Sequence, residues 1–255
     1  MQKVVTTMPI IDKAVIQLGF DLRYRTPITA DLVKTCHLCA CGTTGSGKSV
    51  SMLYILFYVL RLPFPVELYL LDGKGSGDFN NISPIFANGL EESLQLFDRY
   101  FSLYEKVPEG GDGTLRICII DEYAALCIGI ESQYDKKTYT DFLARISRLA
   151  MTSRSKNICL WLVMQRPSAQ YFKAASGVCD LFNICLGYGN LSPEAHRSLF
   201  AGEHFEEEEN FRYGKGQGIA LIEGRPVCPI ATPYIPDKEK LKALLRQLAL
   251  RKFSL

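Results

Sequence analysis

The sequence predicts an α/β fold, with a mostly parallel sheet flanked by helices and a C-terminal β-hairpin and helix. Three observations support this. Continuous apolar runs alternate with helix-periodic stretches from about residue 35 to about residue 200. Strands buried on both faces read as continuous runs of this kind, whereas half-exposed strands alternate. After about residue 214 the pattern changes to two short apolar segments around a tight turn, then one amphipathic helix.

The elements follow in order. Strands are expected at 36–41, 66–72, 115–120, 158–164 and 182–187. A helix over 48–61 ends at the break made by Pro63 and Pro65. A helix over 90–106 carries Leu90, Leu94, Phe97 and Phe101 at helical spacing, and one over 141–152 carries Phe142, Ile146, Leu149 and Ala150. Ser192-Pro193 reads as an N-cap followed by proline at the first helical position, opening a short helix through Leu199. Segments 218–222 and 226–230 flank Glu223-Gly224-Arg225 as a hairpin. Asp237 then caps a helix over 238–251, whose face Leu241, Leu244, Leu245 and Leu248 should dock on the body or on a partner.

Composition sets the limits. The 255 residues are 47% hydrophobic and 22% charged, which excludes a disordered chain, a coiled coil and a collagen-like fibre. Lys and Arg total 29 against 27 Asp and Glu, so any basic surface for nucleic acid must be local. The longest apolar stretch, 50–60, is closed by Arg61 and is far shorter than the roughly 20 residues a spanning helix needs. The N-terminus lacks the charged start and apolar core of a signal peptide. A soluble cytoplasmic chain is expected, with recruitment to the inner face of the membrane left to a partner.

Nine cysteines, several inside apolar runs, fit a reducing compartment better than a disulfide framework. Cys36, His37, Cys39 and Cys41 have metal-ligating side chains. They crowd into one strand whose alternation sends Cys36 to the face opposite Cys39 and Cys41, so packing is favoured over a zinc site.

Gly42-Thr43-Thr44-Gly45-Ser46-Gly47-Lys48-Ser49 fits G-x-x-x-x-G-K-[ST], with a strand before it and a helix after it. The glycines let backbone N–H groups curl around phosphate oxygens. Lys48 supplies charge to the β- and γ-phosphates, and Ser49 supplies a hydroxyl to Mg²⁺. Val50 completes the nucleotide-binding set at the positive end of the helix. Asp121, 73 residues after Lys48, ends an apolar strand and is followed by Glu122. Asp121 is expected to support Mg²⁺, and Glu122 to orient or deprotonate the attacking water. Strand 158–164 runs into Gln165, which either senses the γ-phosphate and holds the water or simply ends a strand.

Together these motifs resemble the FtsK/SpoIIIE family of DNA-pumping ATPases. The resemblance is carried by 27–32 (PITADL) leading to the P-loop, by Leu70-Leu71-Asp72-Gly73-Lys74, by 119–126 (IIDEYAAL) and by 146–168, which ends in Gln165-Arg166-Pro167-Ser168. It covers about 27–200. It implies a RecA-like P-loop NTPase fold in a single motor domain over 1–255, with a core at about 27–200 and a hairpin and helix at about 214–255. It further implies ATP and Mg²⁺ as cofactors, assembly into a homo-oligomeric ring, usually a hexamer, and double-stranded DNA as cargo.

In that family an arginine late in the core reaches into the neighbouring site. The matching segment, 192–199, makes Arg197 the first choice, with Arg145, Arg148 and Arg154 as rivals. Asp72 and Lys74 either contact the nucleotide region or pair with each other. The loop after Lys74 and segment 168–175, with Lys173, are the candidate DNA-contacting loops.

Three features depart from the family. Its linker and orientation-reading module have no counterpart here, Tyr123-Ala124-Ala125 replaces Phe-Ala-Asp, and 128–140 reads as an insertion. The shortened plan is closer to the small FtsK-like and coupling ATPases of conjugative elements than to chromosome-segregating pumps, with relaxase or secretion-channel proteins as further partners. The alternatives are a type VII secretion-like ATPase that moves protein substrates, and a nucleotide-dependent assembly platform. The acidic run 206–209 is expected to be a solvated loop.

Overall fold

The computed structural model describes residues 10–172 and 180–253. Its strands are β1 (Val15–Asp21), β2 (Pro27–Asp31), β3 (Leu38–Gly42), β4 (Val66–Asp72), β5 (Ile85–Asn88), β6 (Leu115–Asp121), β7 (Ile158–Met164), β8 (Ile184–Tyr188), β9 (Gln217–Ile222) and β10 (Cys228–Ala231). The helices are α1 (Lys48–Val59), α2 (Leu90–Lys106), α3 (Tyr123–Gln133), α4 (Lys136–Thr152), α5 (Pro193–Phe200) and α6 (Lys238–Phe253).

All ten strands lie in one sheet, in the order β2-β1-β10-β9-β8-β3-β7-β6-β4-β5. From β8 to β5 the neighbours run parallel. The C-terminal hairpin pairs antiparallel with β8 and carries the sheet on to β1 and β2. The expected mostly parallel α/β sheet with a C-terminal hairpin and helix is therefore the fold observed, and it is a RecA-like P-loop architecture.

The central strands are buried on both faces because helices cover both. On β7, Cys159, Trp161 and Val163 enter one core with Met52, Ile55 and Leu56 of α1 and Leu245 of α6. Ile158, Leu160, Leu162 and Met164 enter the other with Phe97 of α2, Leu126 of α3, Phe142 of α4 and Phe200 of α5. The cysteines divide between the cores as expected, Cys39 and Cys41 on one face of β3 in the second core and Cys36 in the first, although Cys36 precedes β3, which starts at Leu38 rather than at residue 36. His37 is structural, its Nδ1 accepting the Leu160 N–H at 3.1 Å. The eight cysteines among the described residues are not joined in disulfides.

The elements β4, α2 and β7 fall on the predicted residues. The segment 128–140, read as an insertion, is the end of α3, a short turn and the start of α4, which begins at Lys136 because Asp135 caps it, accepting the Thr138 N–H at 2.6 Å. Among the described residues, no helix is long and apolar enough to cross a membrane.

Candidate functional site

In an open α/β sheet the crevice lies at the carboxyl ends of the parallel strands. Here β3, β7, β6 and β4 stand side by side and deliver four segments to that edge. The P-loop follows β3, Gln165 follows β7, Glu122 follows β6, and the loop from Gly73 to Asp78 follows β4. Because β7 lies between β3 and β6, Gln165 emerges between the P-loop and the Asp121-Glu122 pair.

The P-loop turns into α1 through Gly45 (φ 85°) and Gly47 (φ 93°). Glycine at 47 is required twice. The backbone is left-handed there, and a Cβ would sit 2.4 Å from the Gly216 nitrogen. Gly216 N–H donates to the Ser46 carbonyl at 2.7 Å, so the start of β9 is stitched to the P-loop. Lys48 is buried, and its Nζ makes no hydrogen bond among the described residues. The nearest opposing charge is Glu122 Oε1 at 3.9 Å, close enough to attract but too far to share a proton. The buried Ser46 hydroxyl is also without a partner.

Glu122 has a left-handed backbone (φ 52°), a strained state for a non-glycine residue. The kink ends β6 and begins α3 at once. It leaves the carboxylate near Lys48, where Gln165 Nε2 donates to both its oxygens at 3.3 and 3.4 Å. Asp121 lies deeper, 3% exposed, accepting the Ser76 hydroxyl at 3.1 Å. Burial pushes the Asp121 carboxyl up to about 7; Glu122 and Asp72 add to the push, and Lys48 and Ser76 oppose it.

Asp72 accepts the backbone N–H groups of Lys74, Gly75, Ser76 and Gly77 at 2.8–3.3 Å. It thereby organises the loop after β4. That loop folds against the cleft and presents Asp78 to the Ser49 hydroxyl, which donates to it at 2.5 Å. Asp78 also pairs with Lys238 Nζ at 2.7 Å. Burial raises the Asp78 carboxyl, but the hydrogen bonds from Lys238 and Ser49 outweigh it and hold the group below its ordinary value.

The resulting cleft of about 230 Å³ is lined by Thr43, Thr44, Gly45, Gly47, Lys48, Ser49, Val50, Glu122 and Gln165, and also by Asp78, Lys215 and Lys238. It adjoins a second cavity of about 340 Å³ bounded by Gly47, Val50, Lys215, Thr232, Pro233 and Tyr234. Asp78, Lys215 and Lys238 are the residues sequence reasoning missed, since no local motif marks them and only the fold brings them together.

Other expected residues lie elsewhere. Arg197 is on α5, exposed, outside this cleft and without a salt bridge among the described residues. Its rivals are held within the chain: Arg145 by Asp98 and Asp141, Arg148 by Glu105, and Arg154 by the Lys34 carbonyl. Of the segment 168–175, Tyr171 and Phe172 are buried, and Lys173 lies outside the described residues.

Residues 10–89 match the FtsK/SpoIIIE family, a span that includes the P-loop. No curated protein sequence matches the chain. Three solved structures are similar in fold. The conjugation coupling protein TcpA of pCW3, with ATPγS, is 21% identical at a TM-score of 0.73, covering 94% of this chain and 73% of that one. The cytoplasmic domain of the type VII secretion ATPase EccC of Thermomonospora curvata is 18% identical at 0.68, covering 94% of this chain and 32% of that one. EssC ATPases 2 and 3 from Geobacillus thermodenitrificans are 11% identical at 0.69, covering 97% and 50%. This chain thus spans about a third of EccC and about three quarters of TcpA. By its P-loop sequence and its whole described fold, the chain resembles the FtsK/SpoIIIE ATPases.

Proposed function

We propose that this chain hydrolyses ATP at the boundaries between copies in a homo-oligomeric, hexameric ring, and uses the energy to move double-stranded DNA. The observation that carries the ATPase reading is Lys48. A buried ammonium without a hydrogen-bond partner, in a glycine turn at a helix N-terminus, is chemically incomplete without an anion. The residues fit a nucleotide triphosphate. The backbone of Gly42, Thr43, Thr44, Gly45, Ser46 and Gly47 takes the phosphates, Lys48 neutralises them, and Val50 with the second cavity gives room for the nucleoside.

Ser49 and Asp121 offer the hard oxygen donors that Mg²⁺ prefers and would hold it. The ion would supply charge neutralisation on the phosphates. Glu122 accepts the proton of the attacking water, and Gln165 holds the Glu122 carboxylate in place. Arg197, exposed on α5, is the group offered to a neighbour's site.

Support for DNA as cargo comes from the family match over 10–89 and the likeness to a conjugation coupling protein. Relaxase or secretion-channel proteins are the further partners this reading implies. The likeness to EccC and EssC favours a second reading, in which the same motor moves polypeptide. Steady-state ATP hydrolysis with and without linear duplex, at two salt concentrations, separates the two. Stimulation by duplex that weakens with salt supports the DNA motor. Hydrolysis indifferent to duplex transfers the claim to polypeptide, and no hydrolysis at high protein concentration overturns both.

A further inference from the structure

Away from the P-loop, α5 and the loop after it bring together a set of side chains with no part in nucleotide chemistry. His196 lies on the inner face of α5, 9% exposed, its ring against Phe200 at 4.9 Å. After Phe200 the chain reverses through two left-handed residues, Ala201 (φ 51°) and Gly202 (φ 81°). The reversal brings His204 and Glu208 back over the helix. The two imidazoles stack with centroids 4.6 Å apart and planes 7° apart. Glu208 places one carboxylate oxygen 2.5 Å from His196 Nε2 and the other 3.2 Å from His204 Nδ1.

The sequence pointed the other way, since 206–209 reads as a solvated acidic run. Glu208 departs from it, with a side chain only 14% exposed. Glu207 faces Arg23 at 3.8 Å, whereas Glu208 turns to the two imidazoles.

The contacts are close, yet both ring nitrogens of His196 are buried without a hydrogen bond of acceptable geometry. Among the described residues, only the close approach of the Glu208 carboxylate to Nε2 offsets the solvation these atoms lose on burial. The ligand atoms of all three residues lie within 4.8 Å of one another. Around a four-coordinate metal with bonds of about 2.0–2.1 Å, donor atoms stand roughly 3.3 Å apart, in the middle of this range.

We propose that His196, His204 and Glu208 form a zinc site that staples the loop after α5 onto that helix, the exposed His204 ring turning out of its stack so that both imidazole lone pairs point at the ion. Two imidazoles and one carboxylate suit zinc. Mg²⁺ and Ca²⁺ prefer all-oxygen sets, and a thiolate-selective metal lacks sulfur here. The fourth position is left to water. Arg197 follows His196 on α5, so the staple also steadies the helix that presents it. The site stands apart from the nucleotide cleft and does not depend on the ATPase reading.

The test uses the full chain, stripped with a chelator and titrated with zinc chloride, then with cobalt(II) chloride. One equivalent of zinc should bind and raise the melting temperature. Cobalt should give the visible bands of a four-coordinate nitrogen and oxygen site, without the near-ultraviolet charge transfer of a thiolate. His204→Ala and Glu208→Gln should each weaken binding at least about 10-fold. His204 is 64% exposed, so its removal should leave the fold intact, as circular dichroism will check. Failure of the wild type to bind zinc, unchanged affinity in both variants, or a thiolate band would each overturn the proposal.

Discussion

At the cleft, side chains that chemistry needs ionised or free are held under strain or at an electrostatic cost. Glu122 has a left-handed backbone, Lys48 is buried without a hydrogen bond, and Asp121 is buried beside two other carboxylates. Each makes a prediction. Lys48→Ala should reduce hydrolysis by on the order of 10²-fold or more, as loss of a single preorganised charge donor does. Glu122→Gln should keep nucleotide binding but slow turnover by about 10²–10⁴, read in single-turnover assays that separate the two steps. Asp121 titrates near 7 in the folded chain, against an ordinary value of 3.8. Between those values the folded state keeps a proton that the unfolded state has lost, so stability falls as pH rises through this window and does not return above it. Asp121→Asn removes the penalty. In metal-free buffer at pH 8 it should unfold at higher denaturant, by on the order of 1–3 kcal/mol, while at pH 4 the two proteins should unfold together. An equal shift at both pH values would show that the carboxylate is not the cause.

Among the elements, α6 has the most specific link to the cleft. Its Leu245 is fully buried, Lys242 donates to the Gly77 carbonyl at 3.1 Å, and Lys238 holds Asp78. Leu245→Ala should cost about 2–5 kcal/mol in chemical denaturation, whereas Leu244→Ala, on the 41% exposed side of the same helix, should cost under about 0.5. Similar losses at both positions would contradict the docked face. The leucine spacing made this helix legible, and the side it docks on needed the fold. Legibility elsewhere followed burial pattern. β4 and β7 are uninterrupted apolar runs and α2 is strongly amphipathic, so their limits could be read directly. α3 was hidden because Ala124, Ala125, Leu126, Cys127 and Ile128 are apolar on every side and show no period. β1 alternates clearly at Ile16 and Leu18, but it lies before the strand–helix alternation and pairs with the hairpin from the far end of the chain. The same division holds in the site. Lys48, Asp121, Glu122 and Gln165 sit within local motifs, while Asp78, Lys215 and Lys238 arrive from three separate places in the sequence.

At the scale of the whole molecule, the cleft contains Glu122 with Gln165, a phosphate cradle and Lys48, but Arg197 is not among its lining residues. If the proposed ring is correct, each site is completed by the next copy through a head-to-tail contact, and activity depends on assembly. Specific activity should therefore rise with protein concentration. Arg197→Ala alone should lower turnover by about 10³–10⁵, the range set by loss of an arginine supplied in trans. The stronger test is to mix two inactive proteins. Arg197→Ala subunits keep an intact P-loop but offer no arginine, and Lys48→Ala subunits lack a working P-loop but still offer Arg197. In a randomly mixed ring at equal amounts, half the subunits hold a live site and half of those receive an arginine, so about one quarter of wild-type activity should return. The same mixture made with the double variant, Lys48→Ala with Arg197→Ala, should restore nothing. Recovery in the first mixture but not the second places Arg197 across the boundary. No recovery in either, with rings seen by light scattering, means that a different residue completes the site. Activity in unmixed Arg197→Ala protein equal to wild type would leave Arg197 as an exposed helix residue and no more.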